Sequence, residues 1–221
     1  MLRDKDGNAF IQTDMLDMLG MKGSKQVDDE IALLTSRDMI WQVVQDLNLQ
    51  VEYRKKHHLR WKGQYPQSDI AVVCSPSYLD TLSMTTKIDI KVRKNDYVVK
   101  VKVGKRLSSK YIVTDLSKPI TTCAGDLQFD VRHPEKVIAG AQYQVKIYSR
   151  LSAIALYKNR VGVSALRKDS KVISITSTTD VPQRAKDYIQ KIIDLYNADA
   201  VADKNLIAQN TAAFIEERLR V

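Results

Sequence analysis

The most regular hydrophobic pattern of the chain lies in residues 183–221. Apolar side chains recur there at the three- and four-residue spacing of one helix face, and no glycine or proline interrupts the run. Pro182 suits the first helical position. Asp180 can cap the free backbone amides of the first helical turn. The pattern predicts a helix about 55–60 Å long. The polar residues predicted on its solvent face are Arg184, Lys186, Asp187 and Lys191.

The apolar stripe of this helix changes along its length. It thins to alanine and valine between Asn197 and Asn205 and resumes at Leu206. We therefore expect the first half to pack on a core and the second half, from Ala200 to Leu219, to project. The residues predicted to form the helix start and its packing face are Asp180, Pro182, Ala185, Ile189, Ile192 and Tyr196.

Two shorter helices are predicted near the N-terminus. Val27–Leu34 carries acids in its first turn, where the helix dipole favours them. Ser36 is the expected cap of a second amphipathic helix over residues 37–49. Residues 1–20 are predicted to form a short strand and a loop, followed by a turn over Gly20–Ser24.

From Met84 onward the hydrophobic period changes from helical to two. Ile88, Ile90 and Val92 alternate with charged residues, and the pattern repeats after a turn at Lys94–Asp96, which predicts a hairpin with one lysine-rich face. Further strands are predicted at 111–114, 119–122, 127–131, 143–147, 162–166 and 172–177, with a short helix over 149–161. This order predicts an α+β fold with a mainly antiparallel sheet, packed with N-terminal helices and a long C-terminal helix. We expect a single domain, in which residues 1–180 form an α/β base and 181–221 the helix that continues from it.

One segment, residues 54–62, concentrates positive charge. Its basic and aromatic residues are Arg54, Lys55, Lys56, Arg60, Trp61 and Lys62. We favour an exposed connection between a helix and a strand, and an alternative is a nucleic-acid-binding module that combines phosphate contacts with base stacking on Trp61. His57 and His58 are adjacent, would point to opposite sides of a strand, and make a poor metal pair.

The composition indicates a basic protein, and the motifs argue against several kinds of catalytic and metal site. The chain of 221 residues has a formal net charge of +9, so acidic partners must be considered. Cys74 and Cys123 exclude a disulfide scaffold; two free thiols are favoured, and one disulfide stays open. Phosphate-loop, nucleophile-elbow and zinc-protease motifs are absent, which favours a non-catalytic role with no cofactor and no metal. No stretch approaches the roughly 20 apolar residues of a membrane span, and no signal peptide is evident.

Three segments resemble one protein family. They are VDDEIALLTSRDMIWQVVQDLNL (27–49), VISITSTTDVPQRAKDYIQKIIDLYN (172–197) and NTAAFIEERL (210–219). They are similar to the periplasmic domain of the bacterial chain-length determinants (Wzz-type polysaccharide co-polymerases). That family includes the extracytoplasmic part of the tyrosine autokinases of capsule synthesis.

The resemblance implies a function that composition and spacing do not. Members are inner-membrane proteins with a transmembrane helix on each side of the periplasmic part, and autokinase members carry a cytoplasmic kinase domain as well. We therefore expect this chain to be an excised periplasmic segment. The implied role is to set the length of O-antigen, capsule or exopolysaccharide chains without covalent chemistry. The implied partners are further copies of the chain, the polymerase and its lipid-linked glycan, and not nucleic acid. Lysine-rich strand faces could meet an acidic glycan, lipid phosphates or a neighbour's carboxylates.

Overall fold

The computed structural model describes residues 21–74, 76–105, 107–167 and 170–219, so the strand and loop predicted over 1–20 lie outside the described residues. The chain divides into two compact units. The sheet unit consists of Trp41–Arg160 and Thr178–Tyr188. The helix unit consists of the described residues up to Ile40, of Val161–Ser177, and of the chain from Ile189 onward.

Two antiparallel sheets form the sheet unit. The strands of the larger sheet are β1 (Val51–His57), β2 (Arg60–Gln64), β4 (Thr86–Val92), β5 (Tyr97–Val103), β6 (Leu107–Val113) and β9 (Gln142–Ile147). Those of the smaller sheet are β3 (Ile70–Val73), β7 (Ile120–Thr122) and β8 (Gly125–Val131). The six strands of the larger sheet lie in the order β2-β1-β9-β4-β5-β6, and the three of the smaller in the order β3-β8-β7.

The hydrophobic core of the sheet unit is built from one face of each sheet. Ile88, Ile90 and Val99 from the larger sheet and Leu127 and Phe129 from the smaller are almost completely buried in one cluster. The alternation that predicted the β4–β5 hairpin therefore reflects burial of one face, and that prediction is confirmed. Short helices α3 (Pro76–Thr81) and α4 (Arg150–Arg160) and a 3₁₀ turn at Pro134–Lys136 complete the unit.

Helix α2 (Arg37–Asp46) has a well-defined start and end. Ser36 caps it as predicted, because its Oγ accepts a hydrogen bond from the Met39 N–H at 3.2 Å. The helix ends three residues before the predicted Leu49. Asn48 adopts a left-handed φ of 51°, and the amides of Asn48 and Leu49 donate to the carbonyls of Gln45 and Val44. This is the Schellman arrangement, with asparagine in the position that glycine usually takes.

The helix unit contains α1 (Met21–Leu34), the hairpin of β10 (Val161–Ala165) and β11 (Ile173–Ser177), and most of α5 (Pro182–Leu219). The turn predicted over Gly20–Ser24 is wrong from Met21 onward, because α1 already begins there and includes Gly23. Helix and antiparallel sheet are both present, so the α+β fold class with a long C-terminal helix is confirmed.

Exposure changes along the 38 residues of α5. Tyr188 and Ile192 are almost completely buried. Further along, the large apolar side chains of Val201, Leu206, Ile207, Phe214 and Ile215 each expose more than half of their surface. Among the described helices, none has the length and apolar character needed to cross a bilayer.

Candidate functional site

The basic segment 54–62 forms the β1–β2 hairpin. Lys56 pairs with Trp61 and His57 with Arg60, so the two strands are joined by His58 and Leu59 alone. His58 has a left-handed φ of 50°, as a two-residue connection requires at one position. The favoured interpretation of an exposed connection between a helix and a strand is therefore wrong: the segment is an edge hairpin of the six-stranded sheet.

The hairpin separates the six predicted residues between the two sides of the sheet. Residues directly opposite each other in a ladder share a side, so Arg54, Lys56 and Trp61 lie on the outer side. Lys55, Arg60 and Lys62 lie on the side of the core, at its margin. Lys55 forms an ion pair on that side, because its Nζ lies 2.7 Å from Asp69 Oδ2. Burial would raise the pKa of Asp69, but the hydrogen bonds from Lys55 and Gln64 and the charge of Lys55 together hold that pKa below its usual value.

The outer side of the six-stranded sheet is strongly positive, and we call it the basic face. Strand register places on it the basic residues Arg54, Lys56, Lys87, Lys91, Lys100, Lys102, Lys110 and Lys146. The same register places the acids Glu52 and Asp89 there. Asp89 is engaged by Lys87 at 3.2 Å and by the side-chain amide of Gln144 at 2.9 Å. The excess of positive charge is therefore not neutralised within the face.

A groove of about 360 Å³ crosses the basic face. Trp61 lines one end and Lys100 the other, and Gln142, Gln144 and Lys91 lie between them. The pKa of Lys146, on the same face, lies below its ordinary value because of its burial and the nearby charge of Arg54. Closely spaced cations in a concave surface favour an anionic ligand.

A buried carboxylate lies at the other end of this face. Glu52 on β1 is 1% exposed, and its Oε1 accepts hydrogen bonds from Arg184 Nη1 at 2.8 Å and from Arg160 Nη1. The Tyr148 hydroxyl donates to Glu52 Oε2 at 3.0 Å. These residues form the Glu52 cluster, which joins β1, the end of α4 and the first turn of α5.

Burial and neighbouring charges both change the pKa values of the Glu52 cluster. Burial alone would raise the pKa of Glu52, but the hydrogen bond and charge of Arg160 and the charge of Arg184 lower it overall. Burial and the Glu52 charge raise the pKa of Tyr148. The cluster is therefore an ionised carboxylate with two guanidinium partners and one neutral phenol.

Aromatic contacts also hold the first turns of α5, beside the Glu52 cluster. The rings of Tyr157 on α4 and Tyr188 on α5 stack with centroids 5.2 Å apart and an interplanar angle of 5°. The Tyr65 hydroxyl donates to Asp187 Oδ2 at 2.8 Å. Gly63 allows close approach, since a methyl group there would lie 2.5 Å from Val181 Cγ2. The start of the long helix is thus fixed by packing, stacking and charge together.

The positions predicted for the helix start and packing face differ in their surroundings. Helix α5 begins at Pro182, and Asp180 lies two residues before it. Ile192 is buried, while Ala185, Ile189 and Tyr196 are half-buried. Burial, together with the charge of Glu30 and a hydrogen bond to it, raises the pKa of the Tyr196 phenol.

Arg184 was expected on the solvent face of α5, and this expectation is wrong. Its side chain is 5% exposed because it reaches the Glu52 carboxylate. Sequence periodicity did not identify Arg184, Glu52 or Arg160 as a group, because a charged residue inside an amphipathic pattern is normally solvated.

The cysteines and histidines do not form a reactive or metal-binding group in the described part of the chain. Cys74 and Cys123 are free and half-buried, and burial raises the pKa of the Cys74 thiol to about 11. Within the described residues no group of three or more His, Cys, Asp or Glu side chains is placed to hold a metal ion.

Comparison with known proteins gives distant relatives. No protein-family model matches the chain. A Klebsiella pneumoniae protein with the provisional name of tyrosine-protein kinase in cps region is 23% identical over 230 residues, which cover 99% of this chain and 30% of that protein. A protein of Erwinia amylovora, provisionally named tyrosine-protein kinase AmsA, is 23% identical over 199 residues, covering 86% of this chain and 26% of that protein. The chain thus spans less than a third of the length of these relatives.

Proposed function

We propose that this chain is the non-catalytic, extracytoplasmic segment of a membrane-anchored protein that regulates chain length in capsule or exopolysaccharide synthesis. In this proposal the intact protein assembles with copies of itself beside the polymerase and contacts the growing lipid-linked glycan. A tyrosine kinase domain in the same intact protein is part of the proposal, and phosphorylation is assigned to that domain.

One observation carries the proposal. Similarity to a protein of a cps region extends over 99% of this chain, yet it occupies only 30% of that protein. A segment that is similar from end to end within a longer kinase-named protein fits an accessory domain better than a kinase. The resemblance of three of its segments to the chain-length determinants points in the same direction.

The geometry suits a scaffold. The Glu52 cluster and the Tyr157–Tyr188 stack hold the start of α5 on the sheet unit. The helix then continues to Leu219 with an exposed apolar stripe. A helix that leaves apolar side chains in solvent is suited to contact other protein surfaces.

The alternative, a nucleic-acid-binding module at residues 54–62, has less support. The hairpin divides its cations between two sides of the sheet, so only Arg54 and Lys56 share a side with Trp61. The names of the relatives do not point to nucleic acid either.

Deletion of the gene for the intact protein tests the proposal. The modal length of the surface polysaccharide, measured on a gel, is expected to change and to return when the wild-type gene is restored. Ile192→Pro should fail to restore it, because a proline inside a helix costs about 3 kcal/mol or more. Ile192→Val is the matched control and should restore it. An unchanged length distribution in the deletion strain would refute the proposal.

A further inference from the structure

We infer that the groove of the basic face binds an acidic glycan, with Trp61 stacking on a sugar ring and Lys91 and Lys100 pairing with its carboxylates. The inference rests on the proposed function and names the class of polymer that this surface would contact. Charge, hydrogen-bonding capacity and shape each support it separately.

Lys87 in the groove is paired with Asp89, whereas two other lysines of the groove have no ion-pair partner among the described residues. Lys91 and Lys100 are exposed and, among the residues that the structure describes, neither has a carboxylate within salt-bridge distance. Lys100 lies opposite Asp89 in the β4–β5 ladder and opposite Lys110 in the β5–β6 ladder, and Asp89 is already paired with Lys87 at 3.2 Å. The described lining of the groove contains Lys87, Lys91 and Lys100 but only the carboxylate of Asp89, so its excess positive charge favours a polyanion over a neutral chain.

The remaining groups suit sugar hydroxyls. Gln142 accepts a bond from Lys56 Nζ on its side-chain oxygen at 3.4 Å, which leaves its amide N–H groups to donate. Trp61 is half-buried and presents an apolar ring beside these amides. An aromatic ring next to hydrogen-bonding groups can hold the apolar face of a sugar ring and its polar edge together.

The shape of the groove favours an extended polymer. It runs across the strands from β2 to β5, and these four strand spacings amount to about 19 Å. Single-stranded nucleic acid is bound by a succession of stacking rings. Of the two aromatic residues in the described lining of the groove, Tyr143 is 2% exposed, so only Trp61 can offer a ring for stacking.

The test is direct binding of the 221-residue chain to polygalacturonate, a soluble glycan with one carboxylate per sugar, measured by titration calorimetry. Neutral dextran, a single-stranded oligonucleotide and vesicles of anionic phospholipid are the comparison ligands. We expect binding to polygalacturonate that weakens with salt, and much weaker binding to the other three.

Three variants locate the site. Trp61→Ala keeps the net charge and should weaken binding about fivefold to tenfold through loss of the aromatic contact. The pair Lys91→Gln and Lys100→Gln should weaken it about tenfold. The matched control, Lys118→Gln with Lys186→Gln, removes the same charge from two exposed lysines outside the basic face and should change affinity less than twofold. Unchanged thermal unfolding of each variant verifies that the fold is kept.

Several results would overturn the inference. Equal losses of affinity in the groove and control variants would mean that polygalacturonate binding depends on net charge alone. Tighter binding of the oligonucleotide or the vesicles, dependent on Trp61, would assign the groove to that ligand instead. If the chain does not bind polygalacturonate but gene deletion still changes the polysaccharide length, the glycan site is refuted and the proposed function stands. If the chain binds polygalacturonate but gene deletion leaves the length unchanged, the proposed function is refuted and the glycan site stands.

Discussion

At the scale of single residues, the main feature is a carboxylate placed where water cannot reach it. An isolated buried charge is very unfavourable, and Glu52 is tolerated because Arg160 and Arg184 both donate to it while Tyr148 occupies its second oxygen. The three partners come from different segments of the chain. Loss of the carboxylate charge would leave the buried guanidinium of Arg184 and the partly buried guanidinium of Arg160 without compensation.

We therefore predict that Glu52→Gln is strongly destabilising. The free energy of unfolding should fall by about 3 kcal/mol, because removing one partner of a buried ion pair strands the other. The matched control is Lys87→Gln, which breaks the partly exposed pair with Asp89 and should cost less than about 1 kcal/mol. Urea unfolding of both variants makes the comparison, and similar losses in the two would show that the Glu52 cluster does not hold the fold.

Glu52 also predicts how the stability of the fold changes at acid pH. The folded-state pKa of Glu52 lies below its ordinary value of 4.5, so its ionised form stabilises the fold above that pH. This contribution is lost as the pH falls through the folded-state pKa. The stability difference between the wild type and Glu52→Gln should therefore be constant near neutral pH and shrink in acid. Urea titrations from about pH 7 to about pH 3 test this, and a difference that does not change with pH would contradict it.

At the scale of elements, the β1–β2 hairpin and the start of α5 are fitted closely together. Gly63 on β2 faces Val181, the residue before Pro182, and the structure leaves no room between them for a methyl group. The glycine serves this close approach and not a left-handed turn, since its φ is not positive.

We predict that Gly63→Ala lowers the free energy of unfolding by about 1–3 kcal/mol through this clash. In a Val181→Ala background the same change should be neutral or slightly stabilising, because the space is free and alanine reduces the entropy of the unfolded chain. A double-mutant cycle by chemical unfolding measures the coupling. Equal effects of Gly63→Ala in both backgrounds would refute the contact.

The elements that sequence analysis could predict are those that bury one face. The β4–β5 hairpin and the long helix were predicted because their apolar residues repeat at the period of the structure. The β1–β2 hairpin was missed because charged residues occupy both of its sides and its turn has no Gly or Asn. The apolar run Ile70–Val73 could have indicated the missed strand β3.

The candidate site was only partly predictable, for a related reason. The run of cations in 54–62 is visible in the sequence, but its division between two sides of a sheet depends on register. Glu52 and Arg184 are separated by 132 positions, and no local pattern relates them. Their pairing is a consequence of tertiary packing, which determines whether a charged residue is solvated or buried.

At the scale of the whole molecule, the contribution of α5 to stability should be concentrated in its first turns. Tyr188 and Ile192 are buried, whereas Val201, Leu206, Ile207, Phe214 and Ile215 are exposed. Buried apolar surface is what stabilises a fold, and exposed helix contributes little. We therefore expect that the distal half of α5 is available for contacts outside the chain and is not needed to hold the chain folded.

Truncation of α5 tests this distribution. A chain that ends at Ala200 should keep its thermal midpoint within about 2 °C, because the side chains beyond it whose burial the structure describes are exposed. A chain that ends at Asp187 loses Tyr188, its stack with Tyr157, and Ile192, and its midpoint should fall by roughly 10 °C or more. Scanning calorimetry of the two truncations against the full chain decides the matter. If ending the chain at Ala200 is as damaging as ending it at Asp187, the distal half of α5 supports the fold, and its exposed apolar stripe cannot be reserved for partners.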